Sequence, residues 1–167
     1  MNKSALKITD DISVDIGVKE AKRAEVAKKL AGFLATTYTL YMKTLYYHWN
    51  VTGPQFHSLH ELFEGQYNDL HTAGDDIAER IRALGHFTPG TYKAFGKLSA
   101  IEEDNELPTD ATQMVRNLLH DNELASKEAR KVMEKAEDAA DEVTIDMMVA
   151  RMSIHEEAAW MLRATIG

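Results

Sequence analysis

Helix breakers are scarce in this 167-residue chain and fall in only a few places, and that spacing constrains the fold more than any single motif. Three prolines and nine glycines leave long stretches with apolar residues at helical intervals and none with strand-like alternation. The pattern predicts a first helix over residues 18–50, with Leu30, Leu34, Tyr41 and Leu45 recurring on one face and VTGP stopping it. A second is predicted over 56–84, closed by Gly85. Its successor begins at Pro108, with Thr109 or Asp110 near its cap, and runs to about 136. After the acidic turn EDAADE a last helix is expected over 143–164.

Between the second and third long helices lies a connection of more than twenty residues, 86–107, in which 92–101 have room for a short helix. An up-down-up-down bundle needs only short loops, whereas a bundle whose second and third helices run parallel needs a crossover. The expectation is therefore all-α: a ferritin-like four-helix bundle with a long crossover carrying a short helix. Residues 18–167 form one domain behind a flexible tail of 1–17, a length sufficient to bury its own core.

Composition removes several chemistries. Without cysteine there are no disulfides, thiolate metal sites or cysteine nucleophiles, which fits a reducing compartment. A net charge of -8 has the wrong sign for coating nucleic acid by bulk field. No long apolar run and no leader-type N-terminus stands in the sequence, so a cytoplasmic protein without a membrane span is expected.

The second helix carries two pairs of potential metal ligands at i, i+4 spacing, His60 with Glu64 and Asp75 with Glu79. At 100° per residue, with His60 at zero, they fall near 40°, 60° and 100°, one stripe opposite Leu59, Leu62, Phe63, Leu70, Ile77 and Ile81 at roughly 200–300°. The fifteen residues from His60 to Asp75 span about 22 Å of helix. An ion held at ~2 Å by its ligands cannot bridge that gap, so pairs sharing an ion must come from two copies of the chain. Antiparallel second helices crossing near Asp69 and Leu70 bring His60 and Glu64 of one copy to Asp75 and Glu79 of the other, giving two equivalent sites per dimer. No Glu-x-x-His motif occurs, as an inward-facing di-iron site of the ferritin kind requires. His48 ends the first helix, and the VTGP turn can bring it beside His60. Imidazoles with carboxylates suit iron; zinc and manganese accept the same ligands.

The run HWNVTGPQFHSLHELFEGQYNDL followed by DDIAERIRALG resembles the signature of the Dps family, the mini-ferritins, and the helix plan extends the likeness over nearly the whole chain. The resemblance implies a dodecameric shell that oxidises ferrous iron at inter-subunit sites, two ions per site, and stores a ferric mineral inside. It implies hydrogen peroxide as the oxidant, with dioxygen slower. Ligands carry over as His48, His60 and Glu64 from one subunit and Asp75 and Glu79 from its neighbour; relatives often have aspartate where Glu64 stands. Trp49 resembles the family's site tryptophan, with Tyr46 and Tyr47 close by as one-electron donors; interface packing by these aromatics is the alternative.

An acidic turn of Glu137, Asp138, Asp141 and Glu142, with Asp146 one turn on, is the expected cation pore at a three-fold axis; Asp141 as a plain helix cap is the alternative. The methionines Met147, Met148, Met152 and Met161 read as core filler. His57 and His71 share the ligand stripe. Many Dps relatives bind DNA through lysine-rich termini, and here Lys3 and Lys7 face Asp10, Asp11 and Asp15. A weak, salt-sensitive association is expected, multiplied by a dozen copies and bringing the shell to the nucleoid; the alternative function is a mainly DNA-compacting protein with secondary iron chemistry.

Overall fold

A computed structural model describes residues 13–167. Five helices follow in order: α1 Glu20–Asn50, α2 Phe56–Ala83, α3 Tyr92–Leu98, α4 Ala111–Glu137 and α5 Glu142–Ile166, with no strand among the described residues. The four long helices make the bundle, and α3 sits on the α2–α4 crossover against α1.

Each boundary has a local cause. The chain leaves α1 through Gly53, whose φ of 107° only glycine adopts without strain. At the end of α2 the Gly85 amide donates to Arg82 O and the His86 amide to Ile81 O, a Schellman closure with Gly85 at φ 90°. The α4–α5 turn repeats that closure, Asp141 N donating to Ala136 O, but its left-handed position is Ala140 at φ 52°. Asp110 caps α4 by accepting from Gln113 N at 2.8 Å, so α4 begins three residues after Pro108 rather than at it. The short helix stops at Leu98, before the expected 101, because Ser99 Oγ donates to Ile101 O and accepts from Ile101 N, turning the chain.

The interior is two apolar halves with a polar layer between them. One half gathers Val26, Leu30, Phe33 and Leu34 with Ile77, Ile81, Val132 and Met148; the other gathers Leu40, Tyr47, Leu59, Phe63, Leu70, Leu118 and Leu162. Of the four α5 methionines read as filler, Met148 and Met152 are buried, Met147 is half-buried and Met161 is exposed, facing the cleft between α2 and α5. Ile101 anchors the crossover in the second half, and Tyr47, fully buried, donates to Asp104, which also takes Asn117 Nδ2 at 3.2 Å and Lys43 Nζ at 3.4 Å. Burial first, and then the bond to Asp104, drive the Tyr47 phenol well above its ordinary range.

Residues 1–12 lie outside the described part, and with them Lys3, Lys7, Asp10 and Asp11. From Val14 onward the chain is tied down: Arg23 donates to Val14 O, and the Val14 side chain touches Gly85, where a Cβ would sit 3.0 Å from Val14 Cγ2.

Candidate metal centre

The turn after α1 folds α2 back along it and sets His48 against His60. Their rings stack with centroids 3.7 Å apart at 20°. His48 Nδ1 donates to His60 O and His60 Nδ1 donates to His48 O, each at 2.9 Å. A carbonyl oxygen only accepts, so both Nδ1 atoms carry the hydrogen, and the tautomer this selects places the imidazole lone pair on Nε2. Reciprocal bonding of this kind fixes tautomer and ring orientation, the support a metal-binding imidazole needs.

The stripe faces away from the bundle as its spacing requires. Leu59, Phe63, Leu70, Ala73, Gly74, Ile77 and Ile81 are the buried face of α2; Glu64, Asp75 and Glu79 are exposed, and His60 is half-buried. Among the described residues no three His, Asp or Glu side chains come close enough to hold an ion within one chain. His48 and His60 meet; Asp75 and Glu79 stand at the other end of α2. Two imidazole nitrogens and hard carboxylates without a thiolate are a donor set that fits ferrous iron. In one chain it is present as two incomplete halves.

The bundle interior offers no alternative. Arg151, almost completely buried, holds Asp69 with both terminal nitrogens at 3.1 and 2.8 Å. His155 donates from Nδ1 to Asn122 Oδ1 at 3.0 Å, and Arg151 Nη2 lies 3.5 Å from its Nε2. Burial, helped by the Arg151 charge, pushes His155 down to about 3, so it is neutral. An arginine cation in this layer repels a divalent ion, and Asp69, Asn122 and His155 already spend their facing atoms on bonds within it.

Aromatic rings surround the histidine end. Tyr67 lies edge-on to His48 at 5.0 Å, its hydroxyl 3.5 Å from Glu64 Oε1, and desolvation with the Glu64 charge raises its phenol. The sequence reading passed over Tyr67, although its place on the helical wheel, 20° before His60, put it on the stripe. Phe56 sits 5.1 Å from His60 and is exposed, as is Trp49, 62% accessible beside His48. Tyr46 and Tyr47 lie 6.1 Å from each other, and Tyr47 points into the core toward Asp104. Of the other stripe histidines, His57 contacts Glu61 at 3.7 Å and His71 packs at 5.6 Å from Tyr41.

The acidic turn needs correction at one position. Asp141 is buried; its carboxylate caps α5 at Thr144 N, accepts from Thr144 Oγ1 and pairs with Arg80 at 2.5 Å, so it is unavailable as a pore ligand. Asp138 is exposed but bonded to Lys135 at 2.9 Å, which holds its carboxyl below the usual carboxylate range. Glu137, Glu142 and Asp146 are exposed.

Fold and site together define a ferritin-like bundle whose candidate ligands lie outside its own core. The Ferritin-like domain family model matches residues 27–167. The chain is 35% identical over 148 residues to the DNA protection during starvation protein of Porphyromonas gingivalis, covering 89% of this chain and 92% of that one. It is 40% identical over 154 residues to an uncharacterised low temperature-induced protein of Nostoc sp., covering 92% and 86%. Among solved structures, Dps from Staphylococcus aureus is 33% identical with a TM-score of 0.82, covering 85% of this chain and 95% of that one. The Vibrio cholerae Dps, described as a member of a broad superfamily of ferritin-like diiron-carboxylate proteins, is 28% identical with a TM-score of 0.88, covering 95% and 100%. This chain belongs to the Dps family. No helix among the described residues is long and apolar enough to cross a membrane.

Proposed function

We propose that the protein oxidises ferrous iron at sites built across a two-fold dimer interface and stores the ferric product inside a dodecameric shell, protecting the cell and its DNA from peroxide and iron. The observation that carries this is the pairing of two locked imidazoles, half-buried His60 at one end of α2 and buried His48 of α1 against it, with two exposed carboxylates about 22 Å away at the other end of α2. Antiparallel α2 helices bring each histidine end to a carboxylate end and complete two sites at once. The surface beside the stripe favours a second copy as its cover: a groove of about 730 Å³ lined by Tyr38, Tyr41, Met42, His71, Tyr92 and Phe95 runs along α1, α2 and α3.

Iron enters as substrate. His48 and His60 bind through Nε2, Glu64 adds a carboxylate from the same subunit, and Asp75 and Glu79 of the neighbour complete the set around two ions. Their negative charge holds the ferrous pair and favours the ferric product. Two ferrous ions side by side supply both electrons that hydrogen peroxide needs to become two waters, so no hydroxyl radical escapes; dioxygen is the slower oxidant. Exposed Trp49 and Phe56 pack the interface, Trp49 serving also as an electron donor. Glu142 and Asp146, with Asp138 at the rim, draw cations to a three-fold pore. Stopped-flow oxidation of ferrous iron with peroxide tests the reading: acceleration over buffer and mineral growth are expected, and rates equal to buffer reject it.

A second reading, salt-sensitive DNA association, is favoured by Lys28, Lys29 and Lys127, exposed cations without an ion pair among the described residues. These are weak phosphate contacts repeated around a shell. A gel shift that survives deletion of residues 1–17 and fades with salt supports the bundle surface as the contact; loss of the shift on deletion assigns it to the tail.

A further inference from the structure

We propose that Tyr67, Tyr41 and Tyr38 form an electron relay that connects the two iron sites of one dimer. The inference rests on the two-subunit site proposed above. From His48 the rings follow one another: Tyr67 at 5.0 Å, Tyr41 at 6.3 Å from Tyr67, and Tyr38 at 6.3 Å from Tyr41. Tyr38 is held flat against Phe95, 4.9 Å away at 9°. Its other neighbour is Gly74, where a Cβ would come within 3.0 Å of Tyr38 Cε2 and Cζ. The residue after Gly74 is Asp75. Within one subunit the phenols therefore run from the histidine end of the stripe to the carboxylate end.

In the dimer those two ends belong to different sites. A single electron jump over the whole length of the stripe is slow, whereas steps between neighbouring phenol rings are fast, because tunnelling falls off exponentially with distance. Phenols are the oxidisable rings here; Phe95 only braces the last of them.

The relay answers a problem of scarce iron. Peroxide needs two electrons and two protons to give two waters, and a site holding one ferrous ion supplies one electron. The second electron leaves Tyr67, whose phenolic proton is consumed, with one from solvent, in forming water; the ion becomes ferric and Tyr67 a phenoxyl radical. The vacancy passes through Tyr41 to Tyr38 and is filled by the ferrous ion of the other site, a solvent proton restoring the phenol. In sum two ferrous ions, one peroxide and two protons give two ferric ions and two waters, with the ions on separate sites.

The test uses assembled shells loaded anaerobically with ferrous iron, mixed with peroxide, freeze-quenched for electron paramagnetic resonance, and run in parallel with a hydroxyl-radical spin trap. Ring-deuterated tyrosine separates a phenoxyl signal from one on Trp49. At one ion per dimer a persistent phenoxyl signal is expected; at one ion per site it decays and spin adducts stay low. Tyr41→Phe breaks the chain and keeps the ring, and the Tyr41 hydroxyl has no hydrogen-bond partner among the described residues. It should leave a persistent phenoxyl at one ion per site, keep spin adducts as low as in the wild type, and oxidise at the wild-type rate at two ions per site. Equal radical decay in variant and wild type at one ion per site would overturn the relay while leaving the site intact. Failure of the wild type to oxidise iron at two ions per site would overturn the site and the relay with it.

Discussion

The mid-bundle layer and the α2 stripe both set histidine beside carboxylate, and only the stripe is open to a metal. In the mid-bundle layer His155, Asn122, Arg151 and Asp69 bond one another and are closed by a cation. At the α2 stripe His60 and His48 of α1 each spend the Nδ1 hydrogen on the other's carbonyl oxygen, and both rings leave Nε2 without a protein partner among the described residues, while Asp75 and Glu79 stand exposed. The residue types nearly match; what differs is which lone pairs remain. A metal site is defined by the valences a fold leaves over, and burial tends to use them up.

The largest effect should come from removing a lone pair the stripe leaves over. His60→Ala is expected to slow peroxide-driven iron oxidation by at least about 10–100-fold, the cost of losing even a partner of a metal ligand, with assembly by gel filtration unchanged. Full-rate oxidation by this variant would refute the stripe as the site. In the interior layer the readout is stability. Arg151→Ala strips Asp69 of its partner, and since the Asp69 side chain is 37% exposed the cost is about 1–3 kcal/mol rather than that of a fully buried broken pair. Urea unfolding at fixed subunit concentration measures it, and oxidation at each assembled site should be unaffected.

Acidification sharpens the same contrast. His155 is held to about 3 in the folded protein and returns to its ordinary value near 6.5 when unfolded. Between those values the unfolded chain binds the extra proton, so stability is complete above 6.5 and is lost as pH falls below it, by at most about 1.4 kcal/mol per pH unit. His86, lowered by burial and by Arg23, acts in the same direction. Unfolding compared at pH 6.5 and 5 should show the slope, and His155→Gln should flatten it. The smallest effect concerns Ala140, whose left-handed backbone strains a Cβ: Ala140→Gly should stabilise by about 1 kcal/mol in the same unfolding assay.

The stripe was legible in the sequence because it lies on a single helix, where spacing alone fixes direction. The four long helices were legible for the same reason; α4 starts later than expected because Asp110 caps it, and the short helix ends early because Ser99 turns the chain. The polar layer could not be read. Asp69 on α2 and Arg151 on α5 are 82 residues apart, and nothing periodic links them. Asp141 looked like a pore carboxylate because its partner Arg80 is 61 residues away. Tyr67 was within reach of the wheel, but its neighbours Tyr41 and His48 belong to another helix.

Complementation between two inactive variants tests the shared site most directly. His60→Ala and Asp75→Asn each spoil every site in their own shells. A dimer of one with the other keeps one intact site, formed by the histidine end of the Asp75→Asn subunit and the carboxylate end of the His60→Ala subunit, because a two-fold interface uses each surface twice. Co-expressed in equal amounts and mixed at random, the two should recover about a quarter of the wild-type oxidation rate, since half the dimers are mixed and each has one working site of two. Mixed shells as inactive as either parent would contradict a site built from two subunits.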